Sequence, residues 1–353
     1  MGCACAFELA RAGRAVLVLE RSVPGAEASS AAAGILGAQV EAHHSGPLAR
    51  LSAESRALYP ALVRALSRAT GIDVEFRACG VLKVAFGAAE LRKLQRSVAW
   101  QKPKPKELDA RALLRREPRL EPGLAGGIEF AGDARIDPPK LLRALHIAAE
   151  RAGAHFQTGA YVKRVVIENG RARGVALDDG RVLPAEHVVV AAGSWTNLVE
   201  GAPLPSGAVI PARGQIVELV TKVPALERIV FGPGVYLVPR DDGRLLLGST
   251  LEFVGYRREV TASAMRDLLA AAIRLVPSLA DASVTGSWAN FRPYTKDELP
   301  LIGKSSVPGV WLATGHYRNG ILLAPITAKI VSALIRGRKA PVLIEEFAPA
   351  RVS

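Results

Sequence analysis

Gly2 and Glu20 are the first residues whose types and spacing fit a known binding chemistry. Glu20 ends an apolar stretch and follows Gly2 at about the spacing at which dinucleotide folds place an acidic residue on the ribose hydroxyls. Gly2 can supply only the third glycine of the dinucleotide fingerprint, because the strand and the first two glycines precede that position. Taken alone, Glu20 fits a surface acid at a strand end equally well.

Two further segments combine glycine with small or polar residues. Residues 188–195 (VVVAAGSW) run from an apolar strand into Gly193, where small side chains allow a flat ligand to lie against the backbone; close packing of a helix is the alternative. Residues 314–321 (TGHYRNGI) open a long apolar helix. Its N-terminal N–H groups would stabilise an adjacent anion such as a reduced flavin, and an ordinary buried helix start is the alternative.

Helices and strands that alternate along the chain must position these segments. Residues 2–12 have helical periodicity ended by Gly13, and residues 15–19 form an apolar run typical of a buried parallel strand. Such a helix and strand make the second half of a βαβ unit. Further helices are predicted at 51–70, at 138–151 after the capping residue Asp137, at 261–276 and at 321–336.

The other predicted strands form hairpins or buried runs. Asn-Gly and Asp-Gly pairs between alternating segments are strong hairpin signals. They predict a meander over 162–168, 171–177 and 181–183 and a hairpin over 235–239 and 244–249. Alternation of side chains predicts a further strand at 81–86, and an apolar run predicts a buried strand at 187–192.

Composition narrows the class of protein. A length of 353 residues predicts two domains, and 49% apolar with 22% charged residues is typical of a globular chain. The net charge of +13 is scattered, and its densest stretch, residues 102–106, lacks interleaved aromatic residues, so no nucleic-acid partner is predicted.

The cysteines, at positions 3, 5 and 79, have neither disulfide nor metal-ligand spacing, so no metal site is expected. Without a long apolar run or a signal peptide, we expect a cytoplasmic protein with no membrane span.

Five blocks, in order along nearly the whole chain, resemble the glycine oxidase branch of the D-amino-acid oxidase flavoproteins, a branch associated with thiamine biosynthesis. They are residues 20–21, 29–38, 235–240, 292–297 and 315–322. The resemblance implies an α/β fold, with a Rossmann-like FAD-binding domain of the two-dinucleotide-binding type and an interleaved antiparallel-sheet substrate domain. The expected bounds are 1–45, 136–205 and 295–353 for the FAD-binding domain and 46–135 and 206–294 for the substrate domain.

The resemblance also implies non-covalent FAD and the residues along it. Ala28 stands where a relative has a hydroxyl residue, which puts that one contact in question. The implied cofactor positions are Gly2, Glu20, Arg21, Ser29, Ala33, Gly34, Ile35, Val162, Gly193, His316, Tyr317, Arg318, Asn319, Gly320, Ile321 and Leu322.

The implied substrate residues are Arg292, Tyr236 and Arg318. Arg292 would bind the substrate carboxylate through two parallel N–H bonds, which aims the α-hydrogen at the flavin. Because the flavin performs the hydride transfer and its own reoxidation by O2, no catalytic dyad is needed, and none is visible. On residue type alone, Arg292 fits a surface ion pair and Tyr236 a core strand aromatic.

The expected reaction is oxidation of glycine or another small primary or secondary amine to an imine, which hydrolyses to a 2-oxo acid, with NH3 and H2O2 as the other products. The alternatives are a D-amino-acid or sarcosine oxidase, a related dehydrogenase, or a flavin-free remnant acting as a binding module. The expected partners are a small amino acid and O2. The oligomeric state, a homo-oligomer included, stays open.

The N-terminus motivates the remnant alternative. Met1 and Gly2 match the end of the glycine fingerprint, so we expect the chain to be N-terminally incomplete, with its start assigned too late. A true truncation is the alternative.

Overall fold

Helices and strands alternate along residues 1–352, the part of the chain that the computed structural model describes. The α-helices are α1 (Gly2–Arg11), α2 (Ala28–Ala31), α3 (Pro47–Thr70), α4 (Ala88–Val98), α5 (Ala110–Arg116), α6 (Pro138–Arg151), α7 (Ala262–Leu275) and α8 (Gly320–Ile335). The strands are β1 (Val16–Glu20), β2 (Ile35–Leu36), β3 (Val81–Ala85), β4 (Lys106–Asp109), β5 (Gly126–Phe130), β6 (Ala134–Arg135), β7 (Ala154–Thr158), β8 (Val162–Glu168), β9 (Arg171–Leu177), β10 (Val182–Pro184), β11 (Val188–Val190), β12 (Ile210–Val220), β13 (Ile229–Gly232), β14 (Val235–Pro239), β15 (Arg244–Gly248), β16 (Ser283–Tyr294), β17 (Leu301–Lys304) and β18 (Val310–Thr314). The predicted α/β class is confirmed.

The first helix and strand lie where the sequence predicts, but the strand is less buried than expected. Helix α1 ends just before Gly13, whose φ of +79° suits a helix-terminating glycine. Strand β1 pairs in parallel with β7, and β11 pairs in parallel with β18, which has β17 as its antiparallel neighbour. The predicted burial of β1 and β11 is wrong: Leu17 is 49% exposed, and Val190 alone is buried in β11. Within residues 1–352, β1 and β11 each have one neighbouring strand, so the other edge of each is uncovered.

The helices beside these strands share one apolar core. Both α1 and α3 pack against α6 and α8, and the buried side chains of Phe7, Tyr59 and Ile330 belong to this core. Asp137 caps α6 as predicted, because its Oδ1 accepts a hydrogen bond from the Lys140 backbone N–H at 2.9 Å. These contacts hold α1 and the start of α8 in place.

An eight-stranded sheet forms the other half of the fold, in the order β16-β12-β15-β14-β13-β3-β5-β4. Its pairs are antiparallel except for β13 with β3. Strands β12 and β16 run beside each other over most of their length, with Ala212 opposite Arg292 and Gly214 opposite Asn290. Helix α7 covers one face, where Leu268 and Leu275 join the same core as Leu237.

The predicted turns and hairpins are confirmed, with small shifts of the ends. The meander forms as β8, β9 and β10, and the predicted hairpin forms as β14 and β15. Helix α3 begins earlier than predicted, at Pro47, because proline is well accepted in the first turn. The strand expected at 187–192 shortens to Val188–Val190.

One helical stretch, Tyr317–Ile335, is long and apolar enough to pass a test for membrane-crossing helices, which the sequence analysis did not anticipate. Of the most apolar 18-residue window in this stretch, 61% is buried inside the fold. Buried core helices of soluble proteins in general also pass this test.

Candidate active site

A cavity of about 1080 Å³ has walls from both halves of the fold. Strands β1 and β11, with the segments that follow them, contribute one part of the wall. The start of α8 contributes another, and side chains from β14 and β16 complete it. The uncovered edges of β1 and β11 therefore face this cavity.

Glu20 and Arg21, the predicted ribose ligands, differ in how many interactions their side chains already make within the protein. Glu20 accepts a hydrogen bond from the Ser22 backbone N–H through Oε1, at 2.9 Å. Arg21 forms an ion pair with Glu27, and its guanidinium carbon lies 4.2 Å from the centroid of the Trp195 ring. Within the described chain, Glu20 Oε2 has no protein partner, so Glu20 is the freer of the two for a ligand.

The segment around Gly34 is fixed by a buried arginine. Gly34 has a φ of +74°, and a Cβ there would lie 2.0 Å from the carbonyl oxygen of Ile136, so only glycine fits. Arg240 is 6% exposed and donates hydrogen bonds to the carbonyl oxygens of Ala33 and Ile136, each at 2.9 Å. Arg240 thus joins the β14–β15 hairpin to the predicted cofactor segment. The sequence analysis quoted Arg240 within a matching block without assigning it a role.

The segment just before α8 contains a buried, uncharged histidine. His316 is 3% exposed, and its Nε2 lies 3.1 Å from Thr327 Oγ1. Burial lowers the pKa of His316 to about 3, so the ring is neutral at pH 7. Tyr317, the next residue, has a φ of +47°, which is a strained conformation for a bulky side chain. The polarity at this helix start therefore comes from the backbone and not from an imidazolium charge.

Arg292 lies against the backbone of β12. A Cβ on Gly214 would lie 2.2 Å from Arg292 Nη1 and 2.4 Å from Cζ, so the guanidinium occupies the space that a side chain would need. Arg292 Nη2 donates to Ser249 Oγ at 2.6 Å, and Nη1 donates to the carbonyl oxygen of Thr250 at 3.2 Å. The cation is held by two uncharged oxygens.

A second glycine, Gly248, leaves the space that the Tyr236 ring occupies. Tyr236 lies directly opposite Gly248 in the β14–β15 pair, and a Cβ on Gly248 would lie 2.4 Å from the Tyr236 hydroxyl oxygen. The ring therefore lies across the strand and reaches the cavity that Arg292 lines. Gly248 immediately precedes Ser249, so one short segment positions both predicted substrate residues.

Glu41 is an acidic residue on the same wall that the sequence analysis did not single out. Burial raises the pKa of Glu41, and the positive charges of Arg318 and Arg292 act against that rise. Glu41, Arg292 and Arg318 thus place charges of both signs around one cavity, as a ligand with both an amino group and a carboxylate requires. Nothing in the residue pattern around Glu41 separates it from a surface acid, because its neighbours in space come from distant parts of the chain.

The comparison with known proteins decides the family. The family model described as DAO, FAD dependent oxidoreductase, matches residues 1–334. The chain belongs to this family of FAD-dependent oxidoreductases.

Individual relatives agree with this assignment. The glycine oxidase of Geobacillus kaustophilus is 36% identical over 99% of this chain and 94% of that protein. A crystal structure of glycine oxidase from the same organism superposes with a TM-score of 0.94, covering 99% of this chain and 95% of that one. The bifunctional protein ThiO/ThiG of a Nostoc species is 36% identical over 98% of this chain and 53% of that protein. The chain thus spans about half the length of the bifunctional relatives it matches. These findings confirm the resemblance and the fold that it implied.

In this FAD-dependent oxidoreductase, all but two of the predicted site residues line the cavity. The exceptions are Asn319 and Leu322. Leu322 is 2% exposed and belongs to the core, while its carbonyl oxygen accepts a hydrogen bond from Ser55 Oγ. Because α8 turns successive residues to different sides, part of this predicted run points away from the cavity.

The residues present fit the cofactor of the family. A Cβ on Gly2 or Gly193 would have no atom within 4 Å, so the backbone at both glycines borders open space in which a ligand can lie close. Glu20 has a free carboxylate oxygen for a hydroxyl group, and the start of α8 offers backbone N–H groups.

Proposed function

We propose that this chain oxidises glycine or another small primary or secondary amine with non-covalently bound FAD, giving an imine that hydrolyses to a 2-oxo acid, together with H2O2 and with NH3 from a primary amine or a primary amine from a secondary one. The proposal rests on how the Arg292 side chain is held in the cavity. This cation lines the cavity and is held by the neutral oxygens of Ser249 and Thr250, and no carboxylate in residues 1–352 forms a salt bridge with it. Its positive charge is therefore available to a substrate carboxylate.

The remaining site residues have roles consistent with this reaction. Gly2 and Glu20 would hold the pyrophosphate and ribose of FAD, and the start of α8 would face the flavin. Bound FAD supplies the hydride acceptor and passes the electrons to O2. Arg292 orients the amino acid, and Glu41 lies where it can pair with the amino group.

The same proposal includes the domain division and the cellular setting. Segments 1–45, 136–205 and 295–353 would bind FAD, and segments 46–135 and 206–294 would bind the substrate. The relatives named glycine oxidase and ThiO/ThiG support glycine as substrate and a place in thiamine thiazole synthesis. Three free thiols fit a reducing, cytoplasmic environment.

The decisive experiment is optical. The purified chain, incubated with FAD and freed of unbound cofactor, should show flavin absorbance that glycine bleaches under anaerobic conditions. Stopped-flow mixing with O2 should then restore the absorbance rapidly, which separates an oxidase from a dehydrogenase. A colourless protein, or a flavin that glycine, sarcosine and D-alanine all fail to reduce, would contradict the proposal.

A further inference from the structure

Ser249 lies outside the matching blocks, yet it makes the shortest hydrogen bond to Arg292. Its Oγ accepts from Arg292 Nη2 at 2.6 Å, and the Thr250 carbonyl oxygen accepts from Nη1 at 3.2 Å. A guanidinium has five N–H donors, so the two bonds leave three for a ligand. Because both acceptors are uncharged, they restrict the direction of the guanidinium without neutralising it.

The backbone and side-chain groups around Arg292 restrict the position of its guanidinium. The backbone at Gly214 lies directly against it, since a Cβ there would be 2.3 Å from Nη2. Ser249 and Thr250 hold its two terminal nitrogens. Without the Ser249 hydroxyl, the longer bond from Nη1 to Thr250 would be the single hydrogen bond to the protein, and the planar group could rotate about it.

We propose that Ser249 is a positioning residue for substrate binding: its hydroxyl oxygen fixes Nη2 of Arg292 so that the guanidinium presents two parallel N–H groups to the substrate carboxylate. This inference rests on the proposed function and adds a specificity for carboxylate-bearing amines that depends on a serine hydroxyl. Bidentate pairing needs both N–H groups in one plane with the two carboxylate oxygens, so a rotated guanidinium binds the same charge less well.

Kinetics of the flavin-loaded protein test the proposal. Ser249→Ala should raise KM for glycine about tenfold, with kcat changed less than about twofold, since a hydrogen bond to a charged group is lost and the hydride transfer is untouched. Ser249→Thr keeps the hydroxyl and should restore KM to within about threefold of wild type. The matched control is Ser305→Ala, because Ser305 is 7% exposed and its hydroxyl bonds only within its own turn, to Val307. This control should change neither constant.

A second readout does not require turnover. Glycolate carries a carboxylate without an amino group, and isothermal titration should show its Kd weakened about tenfold in Ser249→Ala and unchanged in Ser305→Ala. Turnover of propylamine, which lacks a carboxylate, should be equal in wild type and Ser249→Ala. An unchanged glycine KM and glycolate Kd in Ser249→Ala, or an equal loss with propylamine, would overturn the inference. If glycine fails to reduce the wild-type flavin, the proposed function fails, while the glycolate titration still decides the role of Ser249.

Discussion

Replacing Gly214 by alanine should disable Arg292 while leaving the fold intact. The added methyl carbon would lie 2.2 Å from Arg292 Nη1, well inside van der Waals contact. Strand β12 is paired with β16 from Ile210 to Val220, so its backbone is held in place. The guanidinium is the far end of a flexible side chain, and it is the group that will move.

The size of the effect follows from the bonds that this movement breaks. The hydrogen bonds to Ser249 and Thr250 are both lost when the guanidinium shifts, and each bond to a charged group contributes about 1.5–3 kcal/mol. A loss of about 3 kcal/mol in transition-state binding corresponds to a fall of about 100-fold in kcat/KM. The free energy of unfolding should fall by up to about 3 kcal/mol, because the same two hydrogen bonds are lost from the folded protein and the restriction of the unfolded chain by alanine offsets only about 0.4–1 kcal/mol of that loss.

The assay is kcat/KM for glycine with the flavin-loaded protein, alongside urea unfolding. Gly286→Ala on β16 is the matched control, because the nearest atom to a Cβ there, Trp288 Cζ3, is at an ordinary contact distance of 3.8 Å. Arg292→Ala sets the maximum loss and should leave the visible flavin spectrum unchanged. If Gly214→Ala keeps kcat/KM within about threefold of wild type, or Arg292→Ala has no effect with any amino acid, Arg292 is not the carboxylate anchor.

Two further predictions concern stability. Arg240→Met leaves the carbonyl oxygens of Ala33 and Ile136 unpaired, so the free energy of unfolding should fall by about 1–3 kcal/mol for each, and an unchanged urea midpoint would refute this. The pKa of His316 is about 3 when folded and rises toward 6.5 on unfolding, so between these values the unfolded chain binds the extra proton. Stability should therefore decrease as pH falls from about 6.5 to 3. His316→Asn should flatten that part of the curve of unfolding free energy against pH; an identical slope would contradict the assignment.

Features decided by neighbouring residues were predictable from the sequence. Gly13 ends α1, Asp137 caps α6, and the Asn169–Gly170 pair turns β8 into β9, as their residue types indicate. The Rossmann-like character and the arginine and tyrosine of the substrate site came from the order of matching blocks, which depends on residue identity along the chain.

The sequence analysis did not predict β12 or β16, the two strands that position Arg292. Strand β12 contains Pro211, Arg213 and Gly214, which interrupt an alternating apolar pattern, and β16 contains Gly286 and Pro293. Their pairing with each other, and not local propensity, makes them strands. Of these residues, Gly214 and Pro293 line the cavity.

The sequence by itself determined the helix ends, the hairpin turns and the family, because each depends on residues close together in the chain or on their order. Tertiary structure alone decided that Ser249 and Gly214 meet at Arg292, that Arg240 holds the segment of Gly34, and that Glu41 lines the same cavity as Arg292 and Arg318. It also decided that β1 and β11, apolar enough to be buried, border a cavity. Burial and hydrogen bonding between distant segments depend on what packs beside each strand, and a linear pattern does not contain that information.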